Sequence, residues 1–556
     1  MEHGRSTADF DELLRELRRL TALVAEQQAT MAQQQATIAA QHEALTRAQE
    51  QLVLLKKALF SPRRERYLPS PDQKLLFAPQ ALDVPSRETL PAATPSRPTS
   101  QSKHRRRFLI PDFLPEDRIE HALPEHERPC GCCGKERVII REHVTRQIEL
   151  TRAAARVEVH VRYTYACQHC RRGEQVVTTA KPAAPIEKSP FGASVLAWIV
   201  SAKFERHLPT YRHQEMLLEP LGIWLSRPLL CQLLKGSARV LKPLAHRLLR
   251  EILLSYVVQA DETPIRYLGG APGKALLGYL FGYGGDADHP YLWYDFRPRR
   301  NRDGPREVLG GFRGVLHTDG FSAYESLVSE SQGRLTAAAC WMHARRGFDE
   351  ARYTTSQAIV EETLARIGLL YDVEERAKAL SFEDRRVLRA AESHALVERL
   401  FARWQEVRPE LRPTSKLAEA IDYALRRQVA LSRFLDDGQI ELDTGYLERS
   451  LRGPAVGRRN WLFFGKFSGG RTAATLYSVV QSARLHHVDV TAYLTDVLRR
   501  LPAVGPTDVT TVGQLLPDRW AQAHPQHILA ARVEESRQSA ELRRQRRAAR
   551  RLLAQT

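Results

Sequence analysis

Cysteine is scarce in this chain. Seven in 556 residues, unevenly spaced, are too few to staple a protein of this size with disulfides. No uninterrupted apolar run approaches the length of a bilayer span, and the polar, acidic N-terminus lacks the apolar core of a signal peptide. Together these absences predict a chain that stays in the cytoplasm. Acidic residues are outnumbered, 65 against 83 Lys and Arg, which leaves a formal charge of +18 and points to a polyanionic partner. A basic amphipathic helix with an aromatic face is also missing, so nucleic acid fits better than a membrane surface. Apolar residues make up 43%, enough to exclude a mostly disordered protein and to fill several cores.

What is present begins with a heptad pattern. Leu17, Val24, Met31, Ile38, Leu45, Leu52 and Leu59 recur every seventh residue. Leu13, Leu20, Ala48 and Leu55 fill the complementary seam, interrupted by Gln27, Gln34 and Gln41. This predicts a coiled-coil helix over 6–60 through which the chain forms a homo-oligomer. A helix packed on its own globular body is the duller reading. Residues 61–107, rich in Pro, Ser, Thr and Arg, read as a linker that closes on a basic run at 103–107. That run either touches phosphates or is merely solvated.

Four of the cysteines form two close pairs, Cys130/Cys133 and Cys167/Cys170. Between them Val157, Val159, Val161, Tyr163 and Tyr165 keep a period of two, so the second pair hangs from the end of a strand. Two Cys-x-x-Cys knuckles joined by a hairpin predict a zinc ribbon over 108–185, with all four thiolates on one structural Zn²⁺. Residues 190–254 read as helices. A turn at Gly222, a cap at Ser226 and Pro228 early in the next helix allow a helix-turn-helix that would present 227–235 to a groove. A helical hairpin used only for packing has the same signature.

The chemistry gathers on three carboxylates. Val257-Val258-Gln259-Ala260-Asp261 reads as a short apolar strand delivering Asp261 to its C-terminal end, where Pro264 stops further pairing. Gly314-Val315-Leu316-His317-Thr318-Asp319 repeats the design, and Glu448 follows in a helix-like stretch capped by Asp443. Such a set suits divalent ions that clamp the attacking and leaving oxygens of a phosphodiester. Glu262 should point to the opposite sheet face and is left out. Three meander strands, then strands alternating with helices, is the order of a ribonuclease H-like domain, here over 255–347 and 436–500. A helical insertion over 348–435 interrupts it, and a basic tail spans 501–556. The expected fold class is therefore multidomain α+β.

The chain resembles bacterial transposases of the insertion-sequence 66 family, which are DDE transposases. The resemblance rests on Gln259-Ala260-Asp261-Glu262-Thr263-Pro264, His317-Thr318-Asp319-Gly320, Cys340-Trp341-Met342-His343-Ala344-Arg345-Arg346, and Glu448-Arg449 followed by Gly457-Arg458-Arg459-Asn460-Trp461-Leu462-Phe463. It implies that Asp261, Asp319 and Glu448 bind two Mg²⁺ or Mn²⁺ ions, and that water and then a freed 3′-hydroxyl attack phosphodiesters at transposon ends and target. The partners it implies are double-stranded DNA and accessory proteins of the same element, and the place is the nucleoid. Arg345, Arg346, Arg458 and Arg459 are candidate phosphate contacts, and Cys340 with His343 is a candidate active-site accessory or a core pair. In one place the chain departs from the family: Asp443-Thr444-Gly445 stands where Asp-Asn-Asn or Asp-Thr-Asn is usual. Gly445 has no side-chain amide, which keeps a catalytically silent DNA-binding repressor open as the other reading.

Overall fold

In the computed structural model the described residues are 110, 114–151, 154–167, 169, 176–269, 274–353, 357–505 and 508–555, with a discontinuous set between 16 and 41. The chain forms two compact units. The larger comprises Arg106–Arg346, Thr363–Glu410 and Ile421–Thr556, and the smaller comprises the described part of Met1–Arg105 with Gly347–Glu362 and Leu411–Ala420.

In the smaller unit the described residues between 16 and 41 are helical. Leu20, Val24, Met31 and Ile38 are each more than half exposed, so this stretch of the heptad seam is left uncovered among the described residues. The other apolar heptad positions and the linker lie outside the described residues. So does Cys170.

In the larger unit the predicted hairpin is present as two long antiparallel strands, β2 (Val138–Thr151) and β3 (Ala154–Ala166). β1 (Glu116–His121) runs parallel to β3, and the short β4 (Val177–Thr178) pairs with β3 as well. Alternation decides which face is covered: Val157, Val159 and Val161 are buried while their neighbours are partly solvated. At the base of the hairpin buried Glu149 accepts a hydrogen bond from Ser194 N (3.2 Å), at the start of the helix Ala193–Phe204. An acid at a helix N-terminus is favourable. Gly192 is required there, because a Cβ would lie 1.6 Å from the Glu149 carboxylate.

The helices Thr210–Leu221 and Arg227–Ile252 follow, joined through Gly222 at φ +65°. Ser226 caps the second by accepting from Leu229 N (3.4 Å).

The central sheet has the order β7-β6-β5-β8-β9. β5 (Val257–Leu268), β6 (Ala275–Gly284) and β7 (Leu292–Arg297) form an antiparallel meander. β8 (Gly314–Thr318) and β9 (Leu335–Ala339) add to it in parallel, each reached through a helix. The helices Gly445–Trp461 and Phe467–Leu485 pack on the meander. Gly282 and Gly284 make room for the first of them, since a Cβ at either would meet Leu447 at 3.2 Å or Tyr446 at 2.9 Å.

One expectation needs correction. β5 does not end at Asp261, and Pro264 does not stop its pairing. The ladder with β6 continues through Pro264↔Tyr279 to Leu268↔Ala275. What ends at Asp261 is the parallel ladder with β8, whose last pair is Ala260↔Thr318. Pro264 is tolerated because β5 no longer has its β8 neighbour there, so one edge asks for no N–H. That edge is closed differently: Phe464 N donates to Arg266 O (2.9 Å), and Arg458 hydrogen-bonds Pro264 O.

Candidate active site

Strand register brings the two aspartates together. Ala260 and Thr318 are partners in the parallel ladder, so the next residue on each strand, Asp261 and Asp319, emerges side by side where that ladder stops. Gly320 turns the chain away at φ +80°, a conformation that favours glycine. Asp319 Oδ1 accepts from Phe321 N (2.8 Å) within this turn.

Glu262 belongs to the cluster, contrary to the alternation argument. One oxygen each from Asp261, Glu262 and Asp319 lies within 4.8 Å of the others. The reason is local. Asp261 folds back to accept its neighbour's N–H at 2.8 Å, and Glu262 reaches Arg300 (2.6 Å), which also approaches Asp319 at 3.7 Å. Tyr324 donates to the other Glu262 oxygen at 3.1 Å. Arg300 itself stacks over Phe321, 3.9 Å from the ring centroid. Parity along a strand governs where a side chain leaves the backbone, not where a long one ends.

Burial, reinforced by the charges of Asp319 and Glu262, pushes the Asp261 carboxyl up to about 8. Glu262 is also raised by burial, with Arg300 opposing. Hard oxygens, desolvated and mutually repelling, are a donor set that suits Mg²⁺ or Mn²⁺, whose charge relieves the repulsion.

Glu448 stands in a neighbouring cluster. Its helix starts where Asp443 Oδ1 accepts from Gly445 N (2.8 Å), and Gln259 Oε1 on β5 accepts from Leu447 N (3.4 Å). His343 Nδ1 approaches Glu448 at 3.3 Å and Arg346 donates to it at 3.1 Å. The charge on Glu448 still reaches Asp261, adding to the upward shift there. Cys340 is fully buried, with its thiol pushed up to about 12 by burial. As a neutral thiol it accepts from both Thr444 N and Thr444 Oγ1 at 3.3 Å. The Cys-x-x-His element thus touches the helix that carries Glu448 twice, Cys340 at its head and His343 at Glu448.

Among the four candidate arginines, Arg346 faces Glu448 and Arg458 donates to Thr263 Oγ1 (3.0 Å). Arg459 is exposed and Arg345 half-buried. Trp461 and Phe464 stack at 4.8 Å in the core, while Phe463 is exposed. Sequence reasoning missed Arg300 and Tyr324. Only Arg300 left a signal, as one of four arginines at 297, 299, 300 and 302.

In the ribbon, the sulfurs of Cys130, Cys133 and Cys167 converge within 4.8 Å of one another. Gly134 N closes the first knuckle on Cys130 O (2.8 Å) with φ +67°. Three convergent thiols are soft donors that fit zinc. Cys132 and Cys231 are exposed and stand outside this cluster.

Comparison with known proteins agrees with this layout. The model of the IS66 transposase family matches residues 188–472. The zinc-finger binding domain of IS66 transposases matches 127–171, which supports a structural zinc, and the IS66 C-terminal element matches 478–517. Relatives in Sinorhizobium fredii (strain NBRC 101917 / NGR234) include the uncharacterized protein y4qI, 34% identical over 69% of this chain and 72% of its own length. The uncharacterized proteins y4jD and y4hP are 32% and 28% identical, over 76% and 86% of this chain and 83% and 89% of their own lengths. With a family model matched across 188–472 and two relatives above 30% identity aligned over most of their length, the chain belongs to the IS66 transposase family.

Proposed function

We propose that the protein is a metal-dependent DDE transposase that cuts DNA at transposon ends and joins the freed 3′-end to a target. The observation that carries this reading is the register of β5 and β8, which sets Asp261 and Asp319 side by side, with Glu448 in the neighbouring cluster beside His343. A meander followed by two parallel strands, each reached through a helix, supports reading this sheet as a ribonuclease H-like domain. Divalent ions, when bound, would neutralise the attacked phosphate and activate the attacking oxygen. The chain's own part is positioning. Asp261, Asp319 and Glu448 would hold the ions, Arg300 keeps Glu262 and Asp319 from repelling each other apart, and His343 and Arg346 hold Glu448. Double-stranded DNA would be the substrate, met in the cytoplasm at the nucleoid. No helix among the described residues is long and apolar enough to cross a membrane. Self-association through the N-terminal helix and help from accessory proteins complete the proposal.

Gly445 is the observation that favours the other reading, a silent repressor. Against it, the helix start is closed without a side chain at 445: Asp443 caps Gly445 N and Thr444 bonds Cys340. A Cβ at 445 would in fact lie 2.6 Å from Asp443 Oδ1. The test is cleavage and strand transfer on the element's own end sequences with Mg²⁺ or Mn²⁺. Asp261→Asn, Asp319→Asn and Glu448→Gln should each lose at least about 100-fold in rate while still binding the ends. Tight binding by the unmodified protein with no cutting would favour the repressor.

A further inference from the structure

The helical insertion touches the site at its backbone, which nothing in its sequence announces. Tyr423 lies in the helix Lys416–Arg426, and its hydroxyl donates to the Asp319 carbonyl at 2.6 Å, across 104 residues. Arg427 donates to the next carbonyl, Gly320 O, also at 2.6 Å, and lies 4.3 Å over the Tyr423 ring. Arg427 is held in turn by Glu325 at 2.7 Å. The fit is close: a Cβ at Gly320 would sit 1.9 Å from Arg427 Nε. The turn that carries Asp319 and the guanidinium therefore occupy complementary space.

One more contact runs from the insertion toward the Glu448 side. Trp341, next to Cys340, is fully buried, donates from its indole to Leu431 O (2.8 Å) and packs among Phe401, Trp404 and Phe434. The backbone of Trp341 also donates to Leu442 O (3.2 Å), just ahead of Asp443.

We infer that the insertion is a positioning clamp for the metal-binding Asp319: Tyr423 and Arg427 fix the turn that carries it. These are positioning residues, since they act through Asp319. The inference rests on the catalytic reading of that carboxylate. A single hydrogen bond to a backbone carbonyl contributes little to global stability. In-line displacement is far less forgiving, because a misplacement of about 1 Å can cost on the order of 100-fold. The clamp should therefore weigh on metal binding and rate much more than on folding.

The experiment uses the full-length protein with Tyr423→Phe, Arg427→Gln and Arg427→Lys. Mn²⁺ affinity is read by calorimetry, cleavage rate across a Mn²⁺ titration, end binding by gel shift, and Tm by scanning calorimetry. Tyr423→Phe and Arg427→Gln should weaken Mn²⁺ binding several-fold and slow cleavage at least about tenfold at saturating metal. End binding should be unchanged and Tm within a few degrees. Arg427→Lys, which keeps one donor, should recover part of the loss. Unchanged Mn²⁺ affinity and rate in these variants would overturn the clamp, as would parallel losses of Tm, end binding and rate. Should the unmodified protein cut nothing, the catalytic reading fails, and Mn²⁺ affinity still decides the clamp.

Discussion

At the scale of single residues, burial sets the chemistry more than sequence neighbours do. Asp261 and Cys340 are both driven toward their neutral forms, and the consequence differs with what surrounds them. Asp261 faces other carboxylates and calls for a cation, whereas Cys340 faces hydrogen-bond donors on Thr444 and serves as an acceptor. His213 shows the same force with a stability cost. Its ring is fully buried edge-on to Trp198, and burial, with Lys203 nearby, pushes it down to about 4 from an ordinary 6.5. The folded state thus refuses a proton that the unfolded chain accepts between those two values. Stability should be whole above pH 6.5 and fall as pH drops toward 4, by roughly 3 kcal/mol at about 1.4 kcal/mol per unit. Urea unfolding of His213→Leu beside the parent checks this. The parent should lose that much more between pH 6.5 and 4, and parallel pH curves would remove His213 as a source of acid sensitivity.

At the scale of elements, the helix Arg227–Ile252 divides its faces sharply. Leu230, Leu234, Leu241, Ala245 and Leu248 are buried, while Arg227, Lys235, Arg239, Lys242 and Arg250 share the exposed side. None of these five pairs with an acid among the described residues, and Glu251, a buried acid, is already paired with Arg247. A cationic stripe on a rigid helix suits the phosphates of duplex DNA, and it extends the 227–235 segment well beyond a groove-reading turn. Changing Lys235, Arg239 and Lys242 together to Gln should weaken end binding and flatten its salt dependence. Each lost phosphate contact takes about 0.9 from the slope of log K against log salt. A slope unchanged in the triple variant would make the stripe a solvated face and nothing more. The glycines of β6 carry a matching lesson from the core side. Gly282 and Gly284 let the Glu448 helix lie close on the meander, so its carboxylate is placed by packing rather than by any motif around it.

At the scale of the whole molecule, what could be read in advance was what period and spacing encode. The hairpin, the meander, the two aspartates and the cysteine knuckle all follow from alternation, turns and fixed intervals. Glu262 and the length of β5 did not: Glu262 is drawn in by Arg300 and Tyr324, and β5 is carried past Asp261 by its ladder with β6. Tyr423 and Arg427 were invisible for a further reason: they meet partners far along the chain, through backbone carbonyls that look alike at every position. The N-terminal heptads raise the opposite case, a pattern plain in sequence that is left uncovered among the described residues. Leu20, Val24, Met31 and Ile38 stand 52–63% exposed on one helix. A lone helix with an uncovered apolar seam gains little in water, and most helical stability comes from packing that seam. A second copy offers the same seam in register, which a coiled coil requires. Its association must also overcome repulsion between chains of +18 each, so it should tighten as salt is added. Val24→Asp with Met31→Asp and Ile38→Asp should therefore bring the mass in solution down to the 63.2 kDa of one chain, read by light scattering at moderate salt. The far-ultraviolet spectrum should lose only the helix signal of the N-terminal segment, and the zinc content should not change. An oligomer of unaltered mass in that variant would move self-association to another surface and return the heptads to a helix packed within its own chain.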